Sequence, residues 1–436
     1  MSAHKRLLVV GTTTDYIKYI EKIRPGECLF LTDVRERQKN REPLPLGAQE
    51  LVCDLLDVEK VILSLNKYLD NPKMILSGVV CFDCESMHVA ARIAQSCELP
   101  FPGIQAVASC RSKTKTKQLW RDAGVSGPKA GLIRSAMGAV SFYRGVGGAV
   151  VLKPLTGSGS ELTFLCHNEK DCRRNFNLLK ESLKSHHDVR MYAPILIGGV
   201  LHNPREIFSV EEFIQGEEYS CDFILDNGDV DIIRIAKKIK YPGKVFGITQ
   251  SYIIPADLPE GISLKTFKNE IANAAHALDL NRTMGMIDFF FKDGKICFLE
   301  MTPRPGGDCL PQLIFRSSGF DMVAAALDFS RGRRPAIPPL SEWKRMVAVR
   351  IFSSTPGCLR RLDASRIQAD PRVREVSFRF NPGHLIVLPP ENLDSWLLGY
   401  VIFEPGSQNI EEECRELSSK VIVEVEAPQC PPILSS

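Results

Sequence analysis

The first 105 residues alternate apolar runs of strand length with segments of helical spacing, and this alternation constrains the fold more than any other feature of the sequence. The runs are RLLVVG, CLFLTD and MILSGVVCF, and the helical segments are DYIKYIEKI, VEKVILSLNKYL and SMHVAARIAQSCEL. Alternating strands and helices form a parallel sheet with helices packed on it. The first turn, GTTTDY, lacks the GxGxxG pattern of a dinucleotide site. We therefore predict an α/β domain with a doubly wound parallel sheet over residues 1–105.

The rest of the chain divides at RGRRPAIPPL, a segment rich in arginine and proline that is typical of a linker. Residues 106–335 combine a basic helix, a strand that enters a glycine-serine loop, and several further strands. Residues 336–436 carry short strands such as HLIVLP, LLGYVIFE and KVIVEVEA, with few long helices. We predict an α+β domain over 106–335 and a small, mainly antiparallel α+β domain over 336–436.

Size, charge and cysteine usage narrow the class of protein. A chain of 436 residues is long enough for two to four domains at about 100–200 residues each. The net charge of +3 argues against a nucleic-acid partner or an acidic membrane surface, and no apolar run approaches the roughly 20 residues that span a bilayer. The N-terminus lacks the long apolar region of a signal peptide. The 14 scattered cysteines, with Cys81 and Cys84 in a lone CxxC, favour buried, reduced thiols in the cytoplasm.

Two carboxylates in MIDFFFKDGKICFLEM are candidates for a metal site. Glu300 and Thr302 point to the same side of one strand, because strand side chains alternate. Asp288 lies on the preceding strand, and a two-residue Asp293-Gly294 turn would leave Glu300 on the opposite face. A three-residue loop that begins one residue earlier, with the glycine left-handed, would place both carboxylates on one face, where they suit Mg²⁺. The metal site therefore requires the longer loop; the alternative is a solvated acidic face of an edge hairpin.

A lysine before a glycine loop is a candidate phosphate site. In VVLKPLTGSGS, Lys153 ends a buried strand and faces a loop with Gly157, Ser158, Gly159 and Ser160. Glycines allow backbone N–H groups to approach phosphates closely, and lysine adds a point charge. The order differs from GxxxxGK[ST], and an ordinary flexible turn is the alternative.

The segment VEEFIQGEEYS has the polar groups that adenosine needs. Glu211 and Glu218 flank an apolar pair, Phe213 and Ile214, so the segment offers an acceptor for an amine, backbone groups for a ring edge and an acceptor for hydroxyls. An acidic surface turn is the alternative. A basic segment, RSKTKTKQLWR, places three cations on one helical face, which is more often a solvated face: Lys113, Lys117 and Arg121.

An arginine between two prolines follows the second carboxylate, in ICFLEMTPRPGGD. Proline fixes φ, so both neighbours would stiffen the chain that carries Arg304. Gly306 and Gly307 have no side chain to block the approach of a substrate. The alternative is a strand-exit turn with an exposed arginine.

Taken in order, the basic helix, the lysine-glycine loop, the paired glutamates and the carboxylate hairpin resemble the ATP-grasp superfamily over about residues 1–335. The last hundred residues, with PGCLRRLD and LLGYVIFEPG, resemble the additional domain of the L-amino-acid ligases and carnosine synthases. The resemblance implies that Lys113 and Lys153 hold ATP phosphates, with the Gly157–Ser160 loop folding over them.

The resemblance also implies roles for the glutamates. Glu211 would face the adenine amino group, the backbone near Phe213 and Ile214 would meet the ring edge, and Glu218 would accept from the ribose hydroxyls.

For the hairpin, the resemblance implies that Asp288 and Glu300 bind one or two Mg²⁺ ions, with Mn²⁺ as an alternative. The family usually has asparagine where this chain has Thr302, which would hold a second ion more loosely. Arg304 would steady an acyl-phosphate or a substrate carboxylate, beside the small residues Gly306 and Gly307.

The activity implied by the resemblance is that of an ATP-dependent carboxylate-amine ligase. Such an enzyme forms an amide or peptide bond between small amino acid-like substrates through an acyl-phosphate, and it releases ADP and phosphate. A homodimer is also implied. Two alternatives stay open: another ATP-grasp chemistry, biotin-carboxylase-like or formyl-transferring, and a non-catalytic nucleotide-binding protein, which Thr302 would favour.

Overall fold

The computed structural model describes residues 4–11, 16–39, 49–70 and 74–427, so residues 12–15 of the predicted first turn lie outside it. The N-terminal strands are β1 (His4–Val10), β2 (Cys28–Asp33), β3 (Glu50–Cys53) and β4 (Met74–Cys81). They form a parallel sheet in the order β3-β2-β1-β4. The helices are α1 (Tyr16–Ile23), α2 (Val34–Gln38), α3 (Val58–Leu69) and α4 (Met87–Ser96).

Alternating residues of β1 explain why helices cover both faces of this sheet. Leu7 and Val9 pack with α1 on one face, and Leu8 and Val10 pack with α3 and α4 on the other. A strand buried on both sides needs this continuous apolar pattern. The predicted doubly wound domain is confirmed.

The next region contains a smaller antiparallel sheet. Its helices are α5 (Ile104–Arg111), α6 (Lys113–Asp122), α7 (Ala136–Val146) and α8 (Glu169–Lys184). The strands are β5 (Ala130–Ile133), β6 (Val150–Pro154), β7 (Phe164–Cys166), β8 (Ile195–Ile197), β9 (Val200–His202) and β10 (Phe208–Glu212). The sheet order is β5-β10-β6-β7, and β8 and β9 form a separate hairpin.

A large antiparallel sheet follows. The strands are β11 (Glu217–Asp226), β12 (Asp229–Lys240), β13 (Thr249–Ile254), β14 (Arg282–Lys292), β15 (Lys295–Thr302), β16 (Met346–Phe352), β17 (Gly357–Asp363), β18 (Val373–Phe378), β19 (Leu385–Ile386), β20 (Leu397–Phe403) and β21 (Ile422–Glu426). Eight of them form one sheet in the order β15-β14-β11-β12-β13-β16-β20-β18, and β19-β17-β21 form another. The helices are α9 (Leu264–His276), α10 (Leu310–Ser318), α11 (Met322–Ser330), α12 (Ser365–Gln368) and α13 (Ile410–Lys420), with a 3₁₀ turn at Leu340–Glu342.

The eight-stranded sheet crosses the position at which the sequence predicts a domain boundary, between residues 335 and 336. β13 lies before that position and β16 after it, and the two strands pair from Ser251↔Val349 to Ile254↔Met346. The predicted linker is also held in place, since Arg334 forms an ion pair with Asp231 of β12 at 2.6 Å.

The main core lies between the N-terminal sheet and the large sheet. Leu313 and Ile314 of α10 and Leu327 of α11 belong to one buried cluster with apolar residues from both sheets, such as Val9 and Ile402. This packing brings the carboxyl ends of the N-terminal strands close to the end of β15. Among the described helices, none has the length and apolar character needed to cross a bilayer.

Candidate active site

The hairpin β14–β15 brings Asp288 and Glu300 together, but by a different route from the predicted one. The turn is the two-residue Asp293-Gly294, both with positive φ (50° and 75°), so the predicted three-residue loop is wrong. A β-bulge inserts Leu299 as an extra residue between the pairs Phe289↔Phe298 and Asp288↔Glu300. A bulge shifts the side chains that follow it to the other face. Both carboxylates therefore line one cavity.

Two lysines meet at the entrance to the glycine loop, which we define as residues 156–162. Lys153 lies at the end of the buried strand β6, and Lys113 is the first residue of α6. The Lys113 ammonium donates to the carbonyl oxygen of Gly157 at 2.6 Å and lies 3.9 Å from a Glu300 carboxylate oxygen. The cations and the hairpin carboxylates thus occupy one site.

Left-handed backbone shapes the glycine loop. Gly157 and Gly159 have φ values of 127° and 65°, and Ser160 has 65°. The first of these favours glycine strongly, because a side chain there would be strained. The Ser160 hydroxyl donates to the carbonyl oxygen of Gly247 at 2.8 Å, so the loop touches the segment between β12 and β13.

Glu211 lies between two lysines and is only 1% exposed. Its carboxylate oxygens lie 2.9 Å from the Lys117 ammonium and 2.7 Å from that of Lys153. Burial raises the pKa of Glu211, but the two lysines outweigh burial and hold it below its usual value. Burial lowers the pKa of Lys117 to about 8 despite this partner. Glu211, the predicted acceptor for the adenine amino group, is therefore also the counter-ion of Lys117 and Lys153.

Lys238 was not singled out from the sequence, and it joins two predicted roles. Its ammonium lies 3.0 Å from a carboxylate oxygen of Glu218 and 2.9 Å from one of Asp288. These two carboxylates outweigh the effect of burial and raise the pKa of Lys238. The signal in the sequence was weak, because Lys237, Lys238 and Lys240 look like the polar end of an exposed strand.

The structure gathers most of the predicted residues around one cavity of about 680 Å³, within the usual size of a ligand pocket. The predicted residues that line it are Lys113, Lys153, Gly157, Ser158, Gly159, Ser160, Glu211, Phe213, Ile214, Glu218, Asp288 and Glu300. Residues absent from the sequence prediction complete the wall: Lys240, Tyr241, Phe246, Phe290, Pro390 and Leu393. The last two come from the C-terminal region.

The remaining predicted residues lie beyond that cavity, at the end of β15. Arg304 donates through Nε to the Cys84 sulfur at 3.1 Å, so it reaches the carboxyl edge of the N-terminal sheet. The Gly306 amide donates to Asp222 at 2.7 Å, and Asp222 is itself paired with the buried Arg234 at 2.6 Å. A Cβ at Gly306 would lie 2.9 Å from the Leu310 Cδ1 atom of α10 and 3.1 Å from the Asp222 carboxylate, so one of these side chains would have to move. The small residue is therefore favoured by packing alone.

Thr302 lies opposite Met286, two pairs further along the hairpin than Asp288 and Glu300. Its side chain is partly exposed. Gly307 lies next to Arg304, with the Arg304 Nη1 atom 3.8 Å from the position that its Cβ would take. These two residues therefore flank the site from the Arg304 side.

Asp288 has an atom that suits a metal ion. Its Oδ1 is buried and has no hydrogen-bond partner among the described residues. Burial, opposed by Lys238 and reinforced by Glu300, raises the pKa of Asp288 to about 6. A divalent cation would be coordinated by this oxygen and would relieve the repulsion between the two carboxylates. No cluster of three or more potential metal ligands occurs in the described ranges, so an ion here would need oxygens from a substrate or water.

Comparisons with known proteins agree with this geometry. Residues 146–312 match the ATP-grasp domain family. An uncharacterized protein of Sinorhizobium fredii, y4rH, is 22% identical over 91% of this chain and 77% of its own length. A D-alanine–D-alanine ligase of Wolbachia sp. subsp. Brugia malayi is 25% identical over 50% of this chain and 64% of the ligase, less than two thirds of its length.

The whole architecture is also found among solved structures. The L-amino acid ligase from Bacillus licheniformis matches with a TM-score of 0.75 at 17% identity, covering 98% of this chain and 100% of the ligase. This structural similarity also includes the C-terminal region, whereas the family match ends before it, at residue 312. The predicted resemblance and fold class are confirmed: residues 146–312 match the ATP-grasp domain family, and the whole chain has the fold of the L-amino acid ligase from Bacillus licheniformis.

Proposed function

We propose that the protein is an ATP-dependent carboxylate-amine ligase that joins small amino acid-like substrates through an acyl-phosphate. One observation carries the proposal: two lysines and a glycine loop face two carboxylates across a single cavity. Phosphoryl transfer needs positioned cations around the transferring group more than it needs covalent help. The described ranges supply these groups from four different elements, β6, α6, β14 and β15.

The nucleotide would lie with its adenine ring near Phe213 and Ile214. The carboxylate of Glu211 retains lone pairs beyond its two lysine contacts, so it can also accept from the adenine amino group. Glu218 would accept from the ribose hydroxyls, and its partner Lys238 would then be shared between the nucleotide and Asp288.

In the first step, an oxygen of the substrate carboxylate attacks the γ-phosphorus of ATP. The bond from that phosphorus to the β,γ-bridging oxygen breaks, and ADP becomes the leaving group. Lys113 and Lys153 would hold the phosphate oxygens and neutralise the charge that develops on them. The glycine loop would exclude water from the acyl-phosphate.

Asp288 and Glu300 would hold Mg²⁺, or Mn²⁺, against the phosphates. A bound ion supplies charge neutralisation at the phosphate oxygens. The unpartnered Oδ1 of Asp288 supports this assignment. Thr302, two residues after Glu300 on β15, has a hydroxyl oxygen and would contribute less to a second ion than an amide oxygen would.

In the second step, the amine nitrogen attacks the acyl carbon, the bond from carbon to the phosphate oxygen breaks, and the proton of the nitrogen passes to the departing phosphate. Arg304 would stabilise the negative charge on the tetrahedral centre. Its position between the end of β15 and the N-terminal sheet supports a substrate site on that side, next to Gly306 and Gly307.

The cysteines of the described ranges are free thiols, which favours the cytoplasm as the place of reaction.

The decisive experiment is a screen of amino acid pairs for ADP release, with mass detection of the products. The expected result is ADP formation that depends on both a carboxylate and an amine, with a product of the mass of the amide. ADP formation with bicarbonate or formate would support another ATP-grasp chemistry. Tight ATP binding without turnover on any pair would support a non-catalytic protein.

A further inference from the structure

The carboxylate of Glu161, in the glycine loop, is held by two side chains from one segment. Its Oε1 lies 3.2 Å from Nε2 of His186, and its Oε2 accepts from the Tyr192 hydroxyl at 2.8 Å. The other ring nitrogen of His186 accepts from the Asp188 amide, so Nε2 is the protonated ring nitrogen and donates the hydrogen bond to Glu161. Burial raises the pKa of Glu161, but the interactions with His186, Tyr192 and His187 together outweigh burial and lower it.

Both ends of the glycine loop are tied to this segment, residues 186–192, which we call the strap. At the start of the loop, the Thr156 hydroxyl donates to the carbonyl oxygen of Met191 at 2.9 Å. At its end, Glu161 binds His186 and Tyr192. The four residues expected to cover the phosphates, 157–160, therefore span between two fixed points.

The strap is itself rigid enough to serve as an anchor. Arg205 donates to the carbonyl oxygens of His186 and Asp188, at 3.0 and 3.4 Å. The Asp188 carboxylate accepts from the amides of Arg190 and Met191, at 3.1 and 2.8 Å. Tyr192 is fully buried.

The strap is also tied to the first 111 residues. The Arg190 guanidinium lies 3.4 Å from a Glu85 carboxylate oxygen, and Arg111 donates to the carbonyl oxygen of Met191 at 3.0 Å. The strap is thus held by Arg205, by Arg111 and by the ion pair of Arg190 with Glu85. A segment held in this way can fix a flexible, glycine-rich loop at low entropic cost.

We propose that Glu161 and Tyr192 are positioning residues for the nucleotide phosphates: they act through the strap to hold the glycine loop in its phosphate-binding conformation. This inference rests on the proposed nucleotide site, not on the identity of the substrates. Because the adenine and ribose would be bound by β10 and β11, loss of the anchor weakens phosphate binding and leaves adenosine binding intact.

The test measures ATP and adenosine affinity by calorimetry in excess Mg²⁺, without turnover. We expect Glu161→Ala to weaken ATP binding roughly tenfold, as loss of hydrogen bonds to a charged group does, with adenosine binding unchanged. Tyr192→Phe keeps the buried ring and should lose severalfold in ATP affinity. Glu161→Gln keeps an acceptor for the Tyr192 hydroxyl and should recover part of the loss.

The matched control is Tyr400→Phe, which removes a hydroxyl that donates to a Glu375 carboxylate oxygen at 3.2 Å, and neither residue lines the cavity. It should bind ATP as the unaltered protein does. Unchanged ATP affinity in Glu161→Ala and Tyr192→Phe would overturn the inference, and so would an equal loss of adenosine affinity. An unaltered protein that bound no ATP would overturn this inference and the proposed function together, whereas ATP binding without ligation would count against the proposed function alone.

Discussion

Asp288 and Glu300 lie directly opposite each other on β14 and β15, because a bulge at Leu299 compensates for the two-residue turn. Without the bulge, the tight turn would put the two carboxylates on opposite faces of the hairpin. The two carboxylates share their side of the hairpin with two cations, since Lys238 lies 2.9 Å from Asp288 and Lys113 lies 3.9 Å from Glu300. Such a pair is suited to a cation that arrives with the substrate.

The first prediction concerns these carboxylates. Glu300→Gln should nearly stop the reaction, and Asp288→Asn should raise the Mg²⁺ concentration needed for half-maximal rate, because each removes a charge that balances the ion. Asp293→Asn, in the turn of the same hairpin, is the matched control, since asparagine also tolerates positive φ there. The measurement is rate against Mg²⁺. A silent Asp288→Asn variant would refute the metal site.

Thr302→Asn should lower the Mg²⁺ concentration for half-maximal rate. An amide oxygen reaches further than a hydroxyl and is a better donor to a hard cation. The same Mg²⁺ titration decides the point. If the curve does not move, position 302 is not near an ion.

Lys153→Ala should reduce turnover by at least roughly a hundredfold, as loss of one oriented cation at a developing charge does. ATP binding should weaken by about 1.5–3 kcal/mol. Steady-state rates and calorimetry give the two quantities, and Lys115→Ala, on a more exposed side of α6, serves as the control. Lys153 would not be the phosphate lysine if both rate and affinity survived.

Glu218→Ala should weaken ATP and GTP equally, because ribose is common to both. Glu211→Gln should instead change the preference between the two nucleotides, because an amide can donate to the guanine carbonyl oxygen. Affinities of both nucleotides for both variants test this division. Equal effects of the two changes on base preference would contradict it.

Lys117 should make stability rise with pH. Its pKa is lowered to about 8 in the folded protein, below the usual value near 10.5, so the unfolded chain binds more protons between these two pH values. The free energy of unfolding of the unaltered protein, minus that of Lys117→Met, should therefore increase with pH over this window. The increase is at most about 1.4 kcal/mol per pH unit. Urea unfolding at pH 7, 8, 9 and 10 gives the comparison. Parallel curves would show that Lys117 does not titrate there.

The sequence predicted the order of elements because each depends on local pattern. The alternation of the first 105 residues, Lys153 before its glycines and the carboxylate hairpin all follow from short-range spacing. The bulge at Leu299 could not be predicted, since it depends on which strand pairs with which. Lys238 was missed for the same reason: its two carboxylate partners lie 20 and 50 residues away in the chain.

The pairing of β13 with β16 has a consequence for how this protein can vary. If the chain ended near residue 335, β13 would present a bare row of N–H and C=O groups at the edge of the sheet, a template for self-association. Pro390 and Leu393, which line the nucleotide cavity, would be lost as well. The last hundred residues are therefore a structural part of the large sheet, and recombination could exchange them only for a sequence that supplies an equivalent strand.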